Sequence, residues 1–177
     1  ATAISPGQGG IAVVRISGPQ ALNVGKSIVY VPGTKLWASH TILYGHVMNE
    51  ANNERLDEVL VLIMEGPRSF TGEDVVEIHC HGGLIAVQRV FERVLAHSEV
   101  RRAMPGEFSQ RAVLNGRLNL TQAEAINELI KARSIKAAQL AMTGIDGGIQ
   151  RRINLLREAL MDQLTELEAR VDFEDEL

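Results

Sequence analysis

A chain of 177 residues is long enough for one sizeable domain, or for a smaller domain with an appendage. With 45% hydrophobic residues, 23% charged residues and five prolines it has the make-up of a globular protein with a buried core, which excludes disordered and fibrous classes. Its 18 basic and 22 acidic residues give a net charge of −4, which argues against the broad basic surface of a non-specific nucleic-acid binder, so any RNA contact must be local.

The lone cysteine, Cys80, has no partner for an internal disulfide, and the first residues lack a basic-then-apolar secretory layout. A cytoplasmic, soluble protein is expected. The apolar stretch Val59 to Met64 falls far short of the roughly 20 residues a membrane-spanning helix needs.

Ile11 to Ser17 is a β-branched run between Gly9-Gly10 and Gly18-Pro19, and reads as a strand. Pro19 suits the first turn of a helix running to about Tyr30. His40 to Met48 and Leu56 to Met64 are strand candidates joined by the polar stretch Asn49 to Glu54, which predicts a hairpin. Asp74 to His81 is a further strand, and Gly82-Gly83 opens a helix carrying Leu84, Val87, Phe91, Val94 and Leu95. Pro105-Gly106 leads into a short helix with Phe108, Ala112 and Leu114, closed by Asn115-Gly116 as a left-handed cap. Such a mixture reads as α/β.

The character changes near residue 118, beyond which only Gly144, Gly147 and Gly148 interrupt a helical pattern. Two units are expected, 1–117 and 118–177. Thr121-Gln122-Ala123-Glu124 reads as a capping box in which the Thr hydroxyl and the Glu carboxylate satisfy helix-start amides. Ile149, Ile153, Leu156, Leu160, Leu164, Leu167 and Val171 recur every three or four residues and form one apolar helix stripe, which needs a partner helix. Ending at Phe173 to Leu177 with that stripe uncovered, the chain reads as an excerpt of a longer protein.

Several residues invite chemistry. Pro6-Gly7-Gln8-Gly9-Gly10 is glycine-rich, but no Gly-x4-Gly-Lys-Ser/Thr string occurs, so these glycines read as tight turns rather than a phosphate loop. Alternation on the strand Asp74 to His81 puts Glu77, His79 and His81 on one face and Val76, Ile78 and Cys80 on the other. Hydrogen-bonded strand residues, a small-molecule pocket beside the Gly82-Gly83 helix start, and a metal site are the three readings of that face, in falling order. Arg15 stands in an otherwise apolar strand and needs a partner, either an acid such as Glu77 or a ligand. Its planar fork suits a carboxylate or polar heterocycle, while Glu77 could accept from paired N–H donors such as those of a pterin. Arg101, Arg102, Arg111 and Arg117 make residues 101–117 locally basic against the single acid Glu107, a solvated face or a contact for an acidic ligand tail or tRNA phosphate. One Trp, two Tyr and four Phe leave little for base stacking.

Together, Pro6 to Gly18, Ser69-Phe70-Thr71-Gly72-Glu73-Asp74-Val75-Val76-Glu77, His81-Gly82-Gly83, Pro105 to Ala112 and Leu114 to Ala125 closely resemble, in order and spacing, the N-terminal region of the MnmE/TrmE family of tRNA-modification GTPases. The resemblance covers essentially the whole chain. It implies a mixed-sheet domain similar to the folate-binding part of the glycine-cleavage aminomethyltransferase, followed by part of an all-α helical domain that a GTPase domain interrupts. It further implies homodimerisation through the N-terminal domain, a flavoprotein partner called MnmG or GidA, and a tRNA substrate whose wobble uridine gains an aminomethyl-type group at carbon 5. A tetrahydrofolate derivative, 5-formyl- or 5,10-methylene-tetrahydrofolate, would supply the carbon, and the whole protein would hydrolyse GTP with potassium and magnesium.

By motif matching the folate-contacting residues fall on Arg15, Glu77 and Arg117. Arg117 stands where family members carry lysine, and Asn119 where many carry aspartate. Two other classes compete with this reading. A free-standing folate-dependent aminomethyltransferase would need a second folate-enzyme domain, and a non-catalytic dimerisation module would dispense with folate.

Overall fold

In the computed structural model, which describes residues 1–4 and 9–174, the chain divides into two compact units, Ala1–Arg117 and Leu118–Leu177. The first is a six-stranded sheet with helices. Its strands are β1 (Thr2–Ile4), β2 (Ile11–Ser17), β3 (Val29–Tyr30), β4 (Thr41–Met48), β5 (Arg55–Met64) and β6 (Val75–His81), in the order β1-β2-β6-β5-β4-β3. Each neighbouring pair runs antiparallel. The α/β character is therefore as expected, whereas the mixed sheet is corrected to an antiparallel one. The physical reason lies in the connections: β4, β5 and β6 follow one another by turns, and β2 lies antiparallel beside β6, so no parallel crossover is made.

The hairpin between β4 and β5 closes where Asn49 N–H donates to the Glu54 carbonyl, with Asn53 in the left-handed region. The helix predicted through Tyr30 is shorter, α1 spanning Ala21–Ile28, because Val29 turns extended and Val29–Tyr30 pairs with Val47 and His46 as β3. This edge strand and β1 are too short to show as periodic runs. The helices α2 (Leu84–Leu95) and α3 (Glu107–Leu114) follow the expected segments. Asn115-Gly116 ends α3 with the left-handed conformation taken by Gly116.

Alternation sorts the sheet into two faces. Ala12, Val14 and Ile16 of β2, Val76, Ile78 and Cys80 of β6, and Val59, Val61 and Ile63 of β5 are buried. They share one core with Val24 and Ile28 of α1 and Val87, Val90, Phe91 and Val94 of α2. The opposite face carries Ile11, Arg15, Glu77, His79, Leu60, Tyr44 and Ile42, by the cross-strand register. Its apolar members are left open, Ile11 at 67% and Leu60 at 46% exposure. A sheet packed on one side alternates in this way.

The second unit holds α4 (Leu120–Lys131), α5 (Ile135–Ile145) and α6 (Gly148–Glu174). Its first cap lies two residues before the expected one. Asn119 accepts from the Gln122 amide at 2.8 Å, and Gln122 Oε1 accepts from the Asn119 amide at 3.0 Å, so the capping box is Asn119 with Gln122 rather than Thr121 with Glu124. Thr121 instead donates its hydroxyl to Asn119 Oδ1. The Gln122 amide nitrogen also donates to the Ile145 carbonyl, tying α4 to the end of α5. A break at Ala132–Ser134 separates α4 from α5, with the Ser134 hydroxyl capping the Ala137 amide. Gly147, at φ +76°, turns the chain into α6, whose Ile153, Leu156, Leu160, Leu164, Leu167 and Val171 are exposed.

Candidate ligand site on the open sheet face

The centre of the sheet brings together two of the three residues singled out by the sequence. Arg15 of β2 stands directly opposite Glu77 of β6. Its Nε donates to Glu77 Oε1 at 2.6 Å and its terminal nitrogen lies 2.5 Å from the same oxygen. The side chains are 26% and 13% exposed, so the pair is shielded but not sealed. Among the described residues the hydrogen-bond partner of the second oxygen, Oε2, is His79 Nε2, at 3.3 Å. Glu77 thus meets the acid-partner reading of Arg15 and keeps acceptor capacity on one oxygen, since a carboxylate offers about four lone-pair directions.

Arg117 is placed differently. It follows Asn115, whose amide nitrogen donates to the Thr71 carbonyl at 2.8 Å, but its exposed side chain makes no ion pair among the described residues. The structure therefore joins Arg15 to Glu77 and leaves Arg117 as a solvent-facing cation at the end of α3. His81 takes Asp57 as partner, Nδ1 to Oδ1 at 2.6 Å, and this contact raises its pKa above the ordinary histidine value. Among the described residues no three metal-ligating groups gather as a metal site.

Around the Arg15 end, two loops and α3 are stitched by charge-assisted bonds. The Ser17 hydroxyl donates to Glu73 Oε2 at 2.8 Å and lies 2.7 Å from the hydroxyl of fully buried Thr71. Arg111 bridges Glu73, at 3.0 Å, and Glu107, at 2.9 Å. Arg101 adds a fork on Glu107 at 2.5 and 2.9 Å, and the Met104 amide donates to the same carboxylate. Arg101 first, then the Met104 amide, hold Glu107 well below the usual carboxylate range. In the basic segment 101–117, Arg101 and Arg111 are thus paired with carboxylates, and Arg102 lies over the Phe91 ring with its charge retained. Arg102 and Arg117 are the segment's arginines without a carboxylate partner among the described residues.

A cavity of about 210 Å³ lies beside this network, lined by Ile16, Pro19, Val24, Glu107, Phe108 and Arg111. Glu107 and Arg111 in its lining bond one another. On the open face, a hollow of about 250 Å³ next to His79 is bounded by Ile11, Tyr44, Glu58 and Leu60. Sequence reasoning did not single out Phe70, Phe108 or Glu73 at this site. One signal pointed to Glu107, as the only acid among four arginines in its segment.

The Gly-rich entry to β2 is anchored by Gly82, whose amide donates to the Gly10 carbonyl at 3.1 Å. A Cβ at position 82 would fall 1.9 Å from the Gly9 carbonyl oxygen, so glycine is needed there for close backbone approach. Pro6, Gly7 and Gln8 of the same motif lie outside the described residues.

An antiparallel sheet carrying an Arg–Glu pair on its open face, followed in the chain by a helical unit, coincides with two known sequence families. Residues 1–117 match the family described as GTP-binding protein TrmE N-terminus, and residues 120–177 match the MnmE helical domain. The chain belongs to the TrmE/MnmE family. It is 76% identical over all 177 residues to the tRNA modification GTPase MnmE of Prochlorococcus marinus (strain MIT 9303), covering 38% of that protein. It is 71% identical to the protein of that name from Synechococcus sp. (strain CC9902), covering 39% of it. The chain thus spans under two-fifths of the length of these relatives. Among the described residues no helix is long and apolar enough to cross a membrane.

Proposed function

We propose that this chain serves as the folate-binding, dimer-forming N-terminal part of a cytoplasmic GTPase that modifies tRNA. In the whole protein, the ligand domain would present a tetrahydrofolate one-carbon unit, 5-formyl- or 5,10-methylene-tetrahydrofolate, for addition to carbon 5 of a wobble uridine. The flavoprotein MnmG would act with it, and GTP hydrolysis with potassium and magnesium would belong to the GTPase domain. The relatives' shared name supports the tRNA-modification role.

The observation that carries the ligand reading is the Arg15–Glu77 pair, partly open to solvent on the sheet face opposite the core, with one Glu77 oxygen outside the grip of Arg15. A pterin ring offers adjacent N–H donors that match that oxygen, and an arginine edge suits its oxo group or the glutamate tail. Arg117, exposed and without an ion-pair partner among the described residues, suits a tail carboxylate. Ile11, Ile42, Tyr44 and Leu60, exposed on the same side, are the apolar surface that a two-fold partner would cover.

Calorimetric titration with 5-formyltetrahydrofolate tests the proposal, with one site per chain and a single-phase isotherm expected. Absence of binding by a folded, dimeric chain would sink the folate reading and leave an assembly module. Light scattering over a concentration series tests the dimer, and a persistent monomer mass would refute it.

A further inference from the structure

Two aromatic rings reach Arg15 from segments remote in sequence. The guanidinium carbon lies over the Phe70 ring, 5.9 Å from its centroid, and over the Phe108 ring at 5.7 Å. Both distances fall inside the roughly 6 Å within which a ring face attracts a cation. Phe70 comes from the loop before β6 and Phe108 from the first turn of α3. Both are half-buried and neither belongs to the hydrophobic core.

What holds these rings in place is polar. Glu107, which precedes Phe108, is fixed by Arg101, Arg111 and the Met104 amide. The same Arg111 reaches Glu73, three residues after Phe70, and Asn115 closes the far end of α3 onto Thr71. The loop and the helix are therefore locked to one another, and their two rings converge on one guanidinium.

We infer that Phe70 and Phe108 are positioning residues for Arg15, setting the plane of its guanidinium so that the edge not used by Glu77 offers N–H donors to an acceptor oxygen of the ligand. This rests on the folate reading of the Arg15–Glu77 site. An arginine bound to a single carboxylate oxygen through two nitrogens can still rock about that oxygen, and two ring faces that attract its cationic carbon, at 5.7 and 5.9 Å, oppose the rocking. The charged relay from Arg101 through Glu107 and Arg111 to Glu73 then has a role at the site: it keeps the rings registered on Arg15.

Ordinary packing against the arginine stem would be served equally well by leucine, whereas a ring face would not. The test compares Phe108→Leu, Phe108→Tyr and Phe70→Leu in this chain by melting temperature, by affinity for 5-formyltetrahydrofolate, and by the Arg15 Nε–H resonance in the ligand-free protein. Each leucine variant is expected to weaken binding about three- to thirtyfold and to move the Arg15 resonance out of its ring-shifted position. Phe108→Tyr should restore both. Wild-type affinity in both leucine variants, or a tyrosine variant as defective as leucine, would overturn the inference. Because the resonance is read without ligand, an Arg15 signal that depends on the ring in a protein that binds no folate would uphold the positioning and discard only the folate reading.

Discussion

Replacing Gly82 by alanine is expected to damage the first unit far more than its single added methyl group suggests. That methyl would lie 1.9 Å from the Gly9 carbonyl oxygen, 2.7 Å from its carbon and 2.8 Å from the Ile11 nitrogen. All three are backbone atoms, which cannot rotate away as a side-chain tip can. Separations under 3.0 Å are essentially never seen, so the Gly9 carbonyl must retreat by about 1 Å or more. Forcing a methyl into a filled site costs about 1–3 kcal/mol. Pulling the strands apart also weakens the Gly82 N–H bond to the Gly10 carbonyl, about 1 kcal/mol more. The sum is about 2–4 kcal/mol, which in a unit of this size lowers the melting temperature by roughly 8–16 °C. Gly10→Ala is the control, since a Cβ there meets nothing within 4 Å, and it should change stability by no more than about 0.5 kcal/mol. Thermal melts followed by circular dichroism give both numbers. Equal melting temperatures for the two variants would refute the close-approach argument.

Glu77→Gln should keep an oxygen for Arg15 and so melt within a few degrees of the parent, while losing about 1.5–3 kcal/mol of folate binding, or roughly ten- to a hundredfold in affinity. Calorimetry and melting on the same variant separate the outcomes, and a large fall in melting temperature with unchanged affinity would reduce Glu77 to a structural counter-ion. The Glu107 carboxyl has a lowered pKa in the fold, so its stabilisation is present above the unfolded value of about 4.3 and is lost as pH falls through the folded value. The melting-temperature gap between the parent and Glu107→Gln should therefore be constant from about pH 6 to 8 and shrink below about pH 4; a gap that widens on acidification contradicts the ion-pair account. Burial pushes the Cys80 thiol up to about 11, so an aromatic disulfide reagent at about pH 8 should label it only as the protein unfolds. Prompt labelling of the native chain would contradict its buried place.

Most of the sheet was legible because its buried strands follow the local rules of alternation and β-branching. Ile11–Ser17 appears with the bounds its residues suggest, and the split of Glu77 and His79 from Val76 and Ile78 follows from a period of two. Where two signals competed, the local reading failed. At Asn119 and Thr121 either residue could cap, and Gln122, which also reaches the Ile145 carbonyl, decided for Asn119. The stop at Ala132–Ser134 carries no Gly or Pro and is marked only by a serine cap. Of the candidate site, the pairing of Arg15 with Glu77 could be anticipated from a charge lodged in an apolar strand. The convergence of Phe70 and Phe108 could not, because it depends on Arg111, which bonds Glu107 in its own helix and reaches Glu73, 38 residues away. The antiparallel direction of the sheet depends likewise on where β2 docks, and no single strand encodes that.

That docking also predicts an order of events in folding. Strands β4, β5 and β6 are sequential and pair through short-range turns, whereas Arg15 and Glu77 are separated by 62 positions. Closing so long a loop costs configurational entropy that only the finished pairing of β2 with β6 repays, so the nearby hairpins are favoured to form before it. The guanidinium that faces the carboxylate is thus expected to arrive on the last strand to join the centre of the sheet. In a refolding experiment, ligand capture at this pair would time the closing of the sheet, well after the first hairpins have appeared.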